Sequence, residues 1–330
     1  MPLDPWFLFR VLVFPGFIFI LFLTLFCDWF ERKIEARMQN RVGPAVAGPG
    51  GILQPLADLI KLFTKEDIVP RNAKSTIFKI APVLGFSMLV FAMLFIPIDG
   101  QNAIPSSSFS GDLVFVLTLV TIANFLLFLS GWASANPYGS IGAARVLTQF
   151  LGYDIPLFMF ALSPAFLAGS LSIAGIVESQ YLPFMLLAPW AFVFFIVTLQ
   201  AELEKDPFDI PHAESEVVGG LETEYGGGRL AFLHLTRDVQ IVFGASLVVV
   251  LFLGGPYGPV FFGPPAFWYT LWFVLKLLVV ILISEYITCL FARLRIDQVV
   301  AANWKIIMPL AVISLILTVA LATWVYPLVV

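Results

Sequence analysis

Eight long apolar runs dominate this chain, at about residues 7–27, 77–97, 112–133, 148–169, 183–201, 238–254, 267–290 and 306–326. A helix needs roughly 20 apolar residues to cross a bilayer, so each run reads as a span. The sixth is the shortest. Of the 330 residues 60% are hydrophobic and only 12% are charged, against about 25% charged in a soluble domain. No single core hides that much apolar surface, so lipid must be the solvent. The reading is an all-α integral membrane protein of one polytopic domain, 1–330. The first run reads as a retained span and not a secretory signal, because its leading residues are acidic and no small-residue cleavage site follows. No internal repeat is evident, which argues against an inverted-repeat transporter.

Charge placement orients the spans. Basic residues cluster in the odd-numbered loops: Arg32, Lys33, Arg37, Arg41, Lys61, Lys65, Arg71, Lys74 and Lys79 in or beside the first, Arg145 in the third, Lys205, Arg229 and Arg237 in the fifth, and Arg293, Arg295 and Lys305 in the seventh. That is 16 of the 18 Lys and Arg, leaving Arg10 and Lys276. The positive-inside rule makes these loops cytoplasmic and both termini external. The expected place is the cytoplasmic membrane. The even loops, such as "PIDGQNAIPSSSFSGD" and "GGPYGPVFFGPP", read as external connections.

Two cytoplasmic segments stand apart. The first loop, 28–76, holds Ile52, Leu53, Leu56, Leu59, Ile60 and Phe63 at helical spacing, with Asp58, Lys61 and Lys65 between them. That pattern predicts a helix lying along the membrane surface. It serves either as a surface anchor or as the wall of a site opening at the interface. The second segment, 202–237, is acidic: residues 201–225, "AELEKDPFDIPHAESEVVGGLETEY", carry eight carboxylates and one Lys. The prolines of "DPFDIP" stiffen it. Val217, Val218 and Leu221 break the acids at helix-like spacing, which predicts a packed segment. The "GGG" before Arg229 permits a sharp turn.

Ionisable groups inside spans are costly and therefore functional candidates. Asp154 lies in the fourth run, Glu202 and Glu204 close the fifth, and Glu285 and Lys276 lie in the seventh. Burial favours the protonated form of a carboxylate, so a chain of such groups with water between them can relay protons. The alternative is a fixed ion pair, for instance Lys276 with a neighbouring carboxylate. Two histidines, His212 and His234, and two cysteines, Cys27 and Cys289, are too few for a zinc, iron or iron–sulfur set. There is no P-loop, dinucleotide fingerprint or Ser–His–Asp set. The chain is expected to hold no metal, no cofactor and no catalytic residue of its own, and to bind no nucleic acid.

Four blocks carry a resemblance: "ERKIEARMQNRVGP" with "GILQPLADLIKLFTKED", "GWASANPYGSIGAARVLTQFLGYDIP", "PFDIPHAESEVVGGLETEYGG" and "FARLRIDQVVAANWKIIMPLA". They span nearly the whole chain and resemble the membrane subunit at the junction of respiratory complex I. That family comprises the H subunit of the bacterial enzyme, subunit 1 of mitochondrial NADH dehydrogenase, and relatives in archaeal membrane-bound hydrogenases and sulfur- or sulfane-reducing complexes. The resemblance implies a subunit that docks a peripheral arm and starts a charged path toward antiporter-like pumping subunits. Iron–sulfur clusters, and a nickel–iron centre or quinone, would belong to partners such as a hydrogenase-large-subunit-like protein. By resemblance Glu31, Glu35, Arg37 and Arg41 border the cavity mouth and arm contact. Asp206, Asp209, Glu214, Glu216, Glu222, Glu224 and Arg229 form a coupling loop. Asp154, Glu202 and Glu285 continue inward, joined on the intramembrane reading by Glu204 and Lys276, and Arg293, Arg295 and Asp297 close the cytoplasmic side.

Quinone-reducing members usually read "AETNRAPFD" where this chain has "AELEKDPFD". They tend toward "FFLAEY" where it has "AFLHLTRD", and Asp154 stands where a Glu is usual. Glu204, Lys205 and Asp206 make the approach more charged than a greasy quinone tail favours. The expectation is therefore a ferredoxin-linked hydrogenase or sulfur-reductase branch, with the quinone-binding H subunit as the alternative and a stand-alone ion transporter as a further one.

Overall fold

Hydrocarbon offers no hydrogen-bond partner, so a chain crossing it satisfies its backbone within helices. The computed structural model describes residues 5–104 and 108–324, and every regular element among them is helical. In chain order these are α1 Pro5–Leu12, α2 Phe17–Met38, α3 Gln54–Thr64, α4 Ser75–Met93, α5 Asp112–Ala133, α6 Pro137–Ala168, α7 Ile173–Glu178, α8 Phe184–Leu187, α9 Pro189–Glu202, α10 Glu214–Val217, α11 Gly227–Phe252, α12 Pro265–Leu290, α13 Ile296–Ala302 and α14 Met308–Trp324. A π turn, Asn303–Ile307, joins the last two.

Among the described residues seven stretches are long and apolar enough to cross a membrane, and an eighth apolar helix, α9, fills the fifth predicted position with only 14 residues. The last predicted span ends at 326, two residues outside the described chain. The sequence pattern also misjudges the sixth span. It is not the shortest but a helix of 26 residues, and 89% of its most apolar window is buried. It starts well before the apolar run because the charges of its first half have partners, including Arg229 with Asp67 at 2.9 Å and Arg237 with Glu222 at 2.8 Å. The fifth run yields a short helix because Pro189 opens α9 and divides it from α8.

Helix α11 is the axis of the bundle, touching α2, α3, α4, α9 and α12, while α5 lies between α4 and α6, and α6 carries α14 and α9 on its other sides. Asn136 caps α6 by accepting the Tyr138 N–H at 2.9 Å, ahead of Pro137. Gly142 of α6 has no side chain to keep away the turn at Gly220, whose Cα would lie 2.8 Å from an added Cβ. That contact presses the acidic loop onto the bundle.

The loops sort into two ends. At one end Arg10 pairs with Asp99 at 3.1 Å, both buried, Asp112 accepts the Ile173 N–H at 2.6 Å, and Gln180 accepts the Gly254 N–H at 2.8 Å. At the other, Lys74 N–H reaches the Ala133 carbonyl at 3.0 Å and Leu294 N–H the Pro207 carbonyl at 3.0 Å. Odd-numbered loops thus gather together, as do even-numbered ones. The amphipathic α3 lies at the odd-loop end with Leu53, Leu56, Ile60 and Phe63 exposed.

Lys276 belongs to the even-loop end. Its Nζ donates to the carbonyls of Leu253 and Gly255 at 2.8 Å and of Tyr257 at 2.9 Å. A cation at the C-terminus of α11 answers carbonyls that no later turn satisfies. Lys276→Met is therefore expected to lower stability by about 1–3 kcal/mol, read as a lower melting temperature in detergent, with Lys276→Arg closer to the native protein.

Candidate functional site

On α2, Asp28, Glu31, Arg32 and Glu35 recur at i, i+3, i+4 and i+7, which places them on one helical face. That face looks into a cavity of about 1080 Å³ at the odd-loop end. The opposite walls are the segment from Leu203 to His212, Arg237 of α11, Glu285 and Thr288 of α12, and Phe291 to Arg293. Seven carboxylates, four permanent or ammonium cations and one imidazole line it, so the space is polar, with acids in excess.

Lys205 holds the walls together. It pairs with Glu31 of α2 and Glu285 of α12. Burial lowers its proton affinity and Glu285 pulls the other way, leaving its pKa below the usual lysine value. Glu204, with a left-handed backbone at φ 51, turns the chain sharply out of α9. Burial raises the carboxyls of Asp206 and Asp209 above the usual range; for Asp206 the charge of Asp209 adds to this.

Beyond the cavity a string of polar side chains leads inward. Glu204 Oε2 lies 2.7 Å from His212 Nε2, and Arg237 lies 2.9 Å from both His212 nitrogens and donates to Glu222 at 2.8 Å. A void of about 10 Å³ behind them reaches Gln240. Gln240 donates to Asn124 Oδ1 at 3.0 Å and to the Glu202 carbonyl at 2.9 Å, while Asn124 donates to Glu202 Oε1 at 2.7 Å. Glu202 is buried, and the Tyr153 hydroxyl lies beside its carboxyl. A second void of about 10 Å³ is lined by Glu202, Gln240 and Asp154, and each void is about the size of one water probe. Asp154 completes the string and accepts from Thr121 at 3.5 Å.

The acidic loop is clasped across its surface. Glu216 meets Arg145 at 2.6 Å and Arg293 at 3.1 Å, and Glu224 accepts from Asn136. The Arg145 hydrogen bond holds the Glu216 carboxyl below its ordinary range. Val217 and Leu221 are buried as the spacing predicts, but Val218 points outward, 58% exposed, because its backbone turns left-handed at φ 64. The Glu214 side chain lies outside the described residues.

The structure brings together Glu31, Glu35, Glu204, Asp206, Asp209, Glu285 and Arg293 around the cavity, and Glu202 and Asp154 behind it. Arg229 turns instead to Asp67 of the first loop, and Arg41 pairs with Glu35 at 2.9 Å. Arg37 is exposed outside the cavity wall, and Arg295 pairs with Asp297 on the surface at 3.3 Å. Lys276, at the far end, joins none of these. Sequence reasoning missed Asp28, Arg32, His212 and Arg237 as cavity residues, and Asn124 and Gln240 as links. The periodicity of α2 signals the first two, and amides inside apolar spans signal the last two. Among the described residues no three His, Cys, Asp or Glu side chains gather as metal ligands, and both cysteines are free.

Comparison with known proteins matches residues 11–319 to the NADH dehydrogenase family. Among the curated relatives, the H subunit of NADH-quinone oxidoreductase from Dehalococcoides mccartyi strain CBDB1 is 35% identical over 91% of this chain and 83% of its own. The corresponding H subunit of Syntrophotalea carbinolica is 36% identical over 92% and 93%, and that of Geobacillus kaustophilus 36% over 89% and 88%. The chain belongs to the family of complex I H subunits. It is a multi-pass membrane subunit, and its family implies further subunits beside it in one complex. The charged cavity and the polar string behind it are thus features of a complex I-type membrane subunit.

Glu222 offers a pH test of this network. Burial pushes its carboxyl up, but Arg237, then His212 and His234, more than offset this and hold it below the usual range. A depressed acid stabilises the fold above its unfolded pKa, and the benefit is lost as pH falls through the folded value. Arg237→Met removes the chief cation. It is expected to cost about 1.5–3 kcal/mol near pH 7.5, with a smaller loss at pH 5 as Glu222 takes up a proton. Thermal unfolding at the two pH values checks this.

Proposed function

We propose that the chain is the anchoring and coupling subunit of a redox-driven, ion-translocating oxidoreductase. It docks a peripheral electron-transfer arm at the odd-loop end, on the cytoplasmic side of the cell membrane, with both termini external. The observation that carries this is the connected string from the cavity through Glu204, His212, Arg237, Gln240 and Glu202 to Asp154. Grotthuss-type relay needs titratable groups separated by water-sized gaps, and both are present here. Asp154 is only half-buried and lies between exposed Leu151 and Ile155. A carboxylate at a lipid-facing surface calls for a covering partner, which supports an antiporter-like membrane subunit at that face.

The chain itself supplies docking, charge and a path, with clusters and any nickel–iron centre in its partners. For the electron acceptor, the names of the relatives support quinone over the hydrogenase or sulfur-reductase branch toward which "LEKD" leans. A quinone ring fits the cavity as a hydrogen-bond acceptor: His212 and Arg237 are donors on its wall, and Leu203 and Phe291 supply apolar contact. The second reading, a ferredoxin-linked hydrogenase or sulfur reductase, is favoured by Glu204, Lys205 and Asp206, which all line the same space. Bound there, a quinone would supply two-electron acceptance. The Glu204–His212 contact, Oε2 to Nε2 at 2.7 Å, would stand on the wall beside it.

In the intact complex, Asp154→Asn is expected to cut ion pumping on the order of 100-fold, and Glu214→Gln or Glu216→Gln to lower pumping together with electron transfer. Native rates of both processes in all three variants would rule out the coupling role. Transport by the purified chain alone in liposomes would favour the stand-alone transporter. A short-chain quinone titrated into the complex should be reduced by the physiological donor. No reduction, with active ferredoxin-linked turnover, would favour the other branch.

A further inference from the structure

Pro156 interrupts α6 from within. It has no N–H, so the carbonyl of Gly152, four residues earlier, lacks its helical donor. The turn left open, 153–155, is the one that carries Asp154. Against its base stands Asn303, 1% exposed and first in the π turn. Neither the Nδ2 nor the Oδ1 of Asn303 has a hydrogen-bond partner. Gly152 is what admits the amide so closely, since a Cβ there would lie 3.1 Å from Asn303 Nδ2.

Three independent features therefore meet at one point: a freed carbonyl, a buried amide unpaired at both ends, and a helix whose register is shifted by a π turn. Such turns concentrate at functional places. A dry, unpaired amide is costly, and polar interior sites of this kind hold ordered water. Val299, one turn before Asn303, packs with Phe150 and Tyr153, so α13 is already fastened to the same stretch of α6.

We propose that the Asn303 amide binds one internal water against the Gly152 carbonyl. This bridge replaces the missing helical bond and fixes the turn that presents Asp154. Asn303 is then a positioning residue, acting through the α6 backbone and not by contact with the carboxylate. The water site stands on its own geometry; the positioning role rests on Asp154 serving the ion path.

The test uses the intact complex. A cryo-EM map at water resolution should show one ordered water within hydrogen-bond reach of Asn303 and the Gly152 carbonyl. A dry amide, or one bonded directly to protein, overturns the site. Asn303→Leu keeps the side-chain size and removes the polar atoms. It should lower ions pumped per electron by about tenfold, while electron transfer and assembly persist. Adding Pro156→Ala restores an N–H to the Gly152 carbonyl and should recover most of the loss in Asn303→Leu. A merely structural defect would not be rescued that way, and failure of the rescue overturns the positioning role. If Asn303→Leu does not assemble, Asn303→Ser, which keeps a donor and an acceptor, should pump near the native ratio, and a loss there overturns the role. Normal pumping by Asp154→Asn would instead defeat the ion-path reading and with it the positioning role, leaving the water density to decide the site.

Discussion

A charged side chain carried into hydrocarbon must bring its partner with it, because lipid supplies none. That constraint organises the whole bundle. The central helix, α11, carries Arg229, His234, Arg237 and Asp238 in its first half, and it can be the most enclosed span only because other elements arrive to meet them. Asp67 comes from the first loop and Glu222 from the acidic loop. Lys205 applies the same rule between helices, where one ammonium answers carboxylates of α2 and α12 and sets the width of the cavity. Removing one partner of such a set costs more than the pair contributes, since the other charge is left stranded.

The same rule accounts for the dense acidity of residues 201–225. Each described acid in it has a different environment. Glu202 is held by amides, Glu204 by an imidazole, and Glu216 by two guanidinium groups at the surface. Glu222 is half-buried but held charged by Arg237, whereas burial drives Asp206 and Asp209 toward the protonated form. A loop whose acids differ in proton affinity can hold and release protons at different stages, which a uniformly solvated loop cannot do. The family relationship gives this arrangement its setting beside other subunits.

Much of the fold is legible from local pattern. Runs of apolar residues announce the spans, and the period of Ile52 to Phe63 announces α3. The failures share one cause, which is that local pattern does not see partners. By its apolar stretch alone the sixth span looks short, yet paired charges extend it to Gly227. The fifth looks complete by hydropathy, yet Pro189 divides it. Lys276 groups with the acids in sequence because it shares a helix with Glu285, but nine residues carry it to the opposite end, where backbone carbonyls hold it. Spacing puts Val218 in the packed face, and a left-handed turn reverses it.

Residue chemistry and order along the chain by themselves determined that lipid is the solvent, that the loops alternate between two ends, and that acids concentrate in one of them. Those properties are local or additive, so composition and periodicity carry them. Only the tertiary structure decided which polar groups meet. Asn124, Glu202 and Gln240 join across separations of 78, 38 and 116 residues, and Asn303 reaches Gly152 from α14's approach to α6. Such meetings depend on how each helix is rotated and where it crosses its neighbours, and that is set by the packing of whole faces against one another.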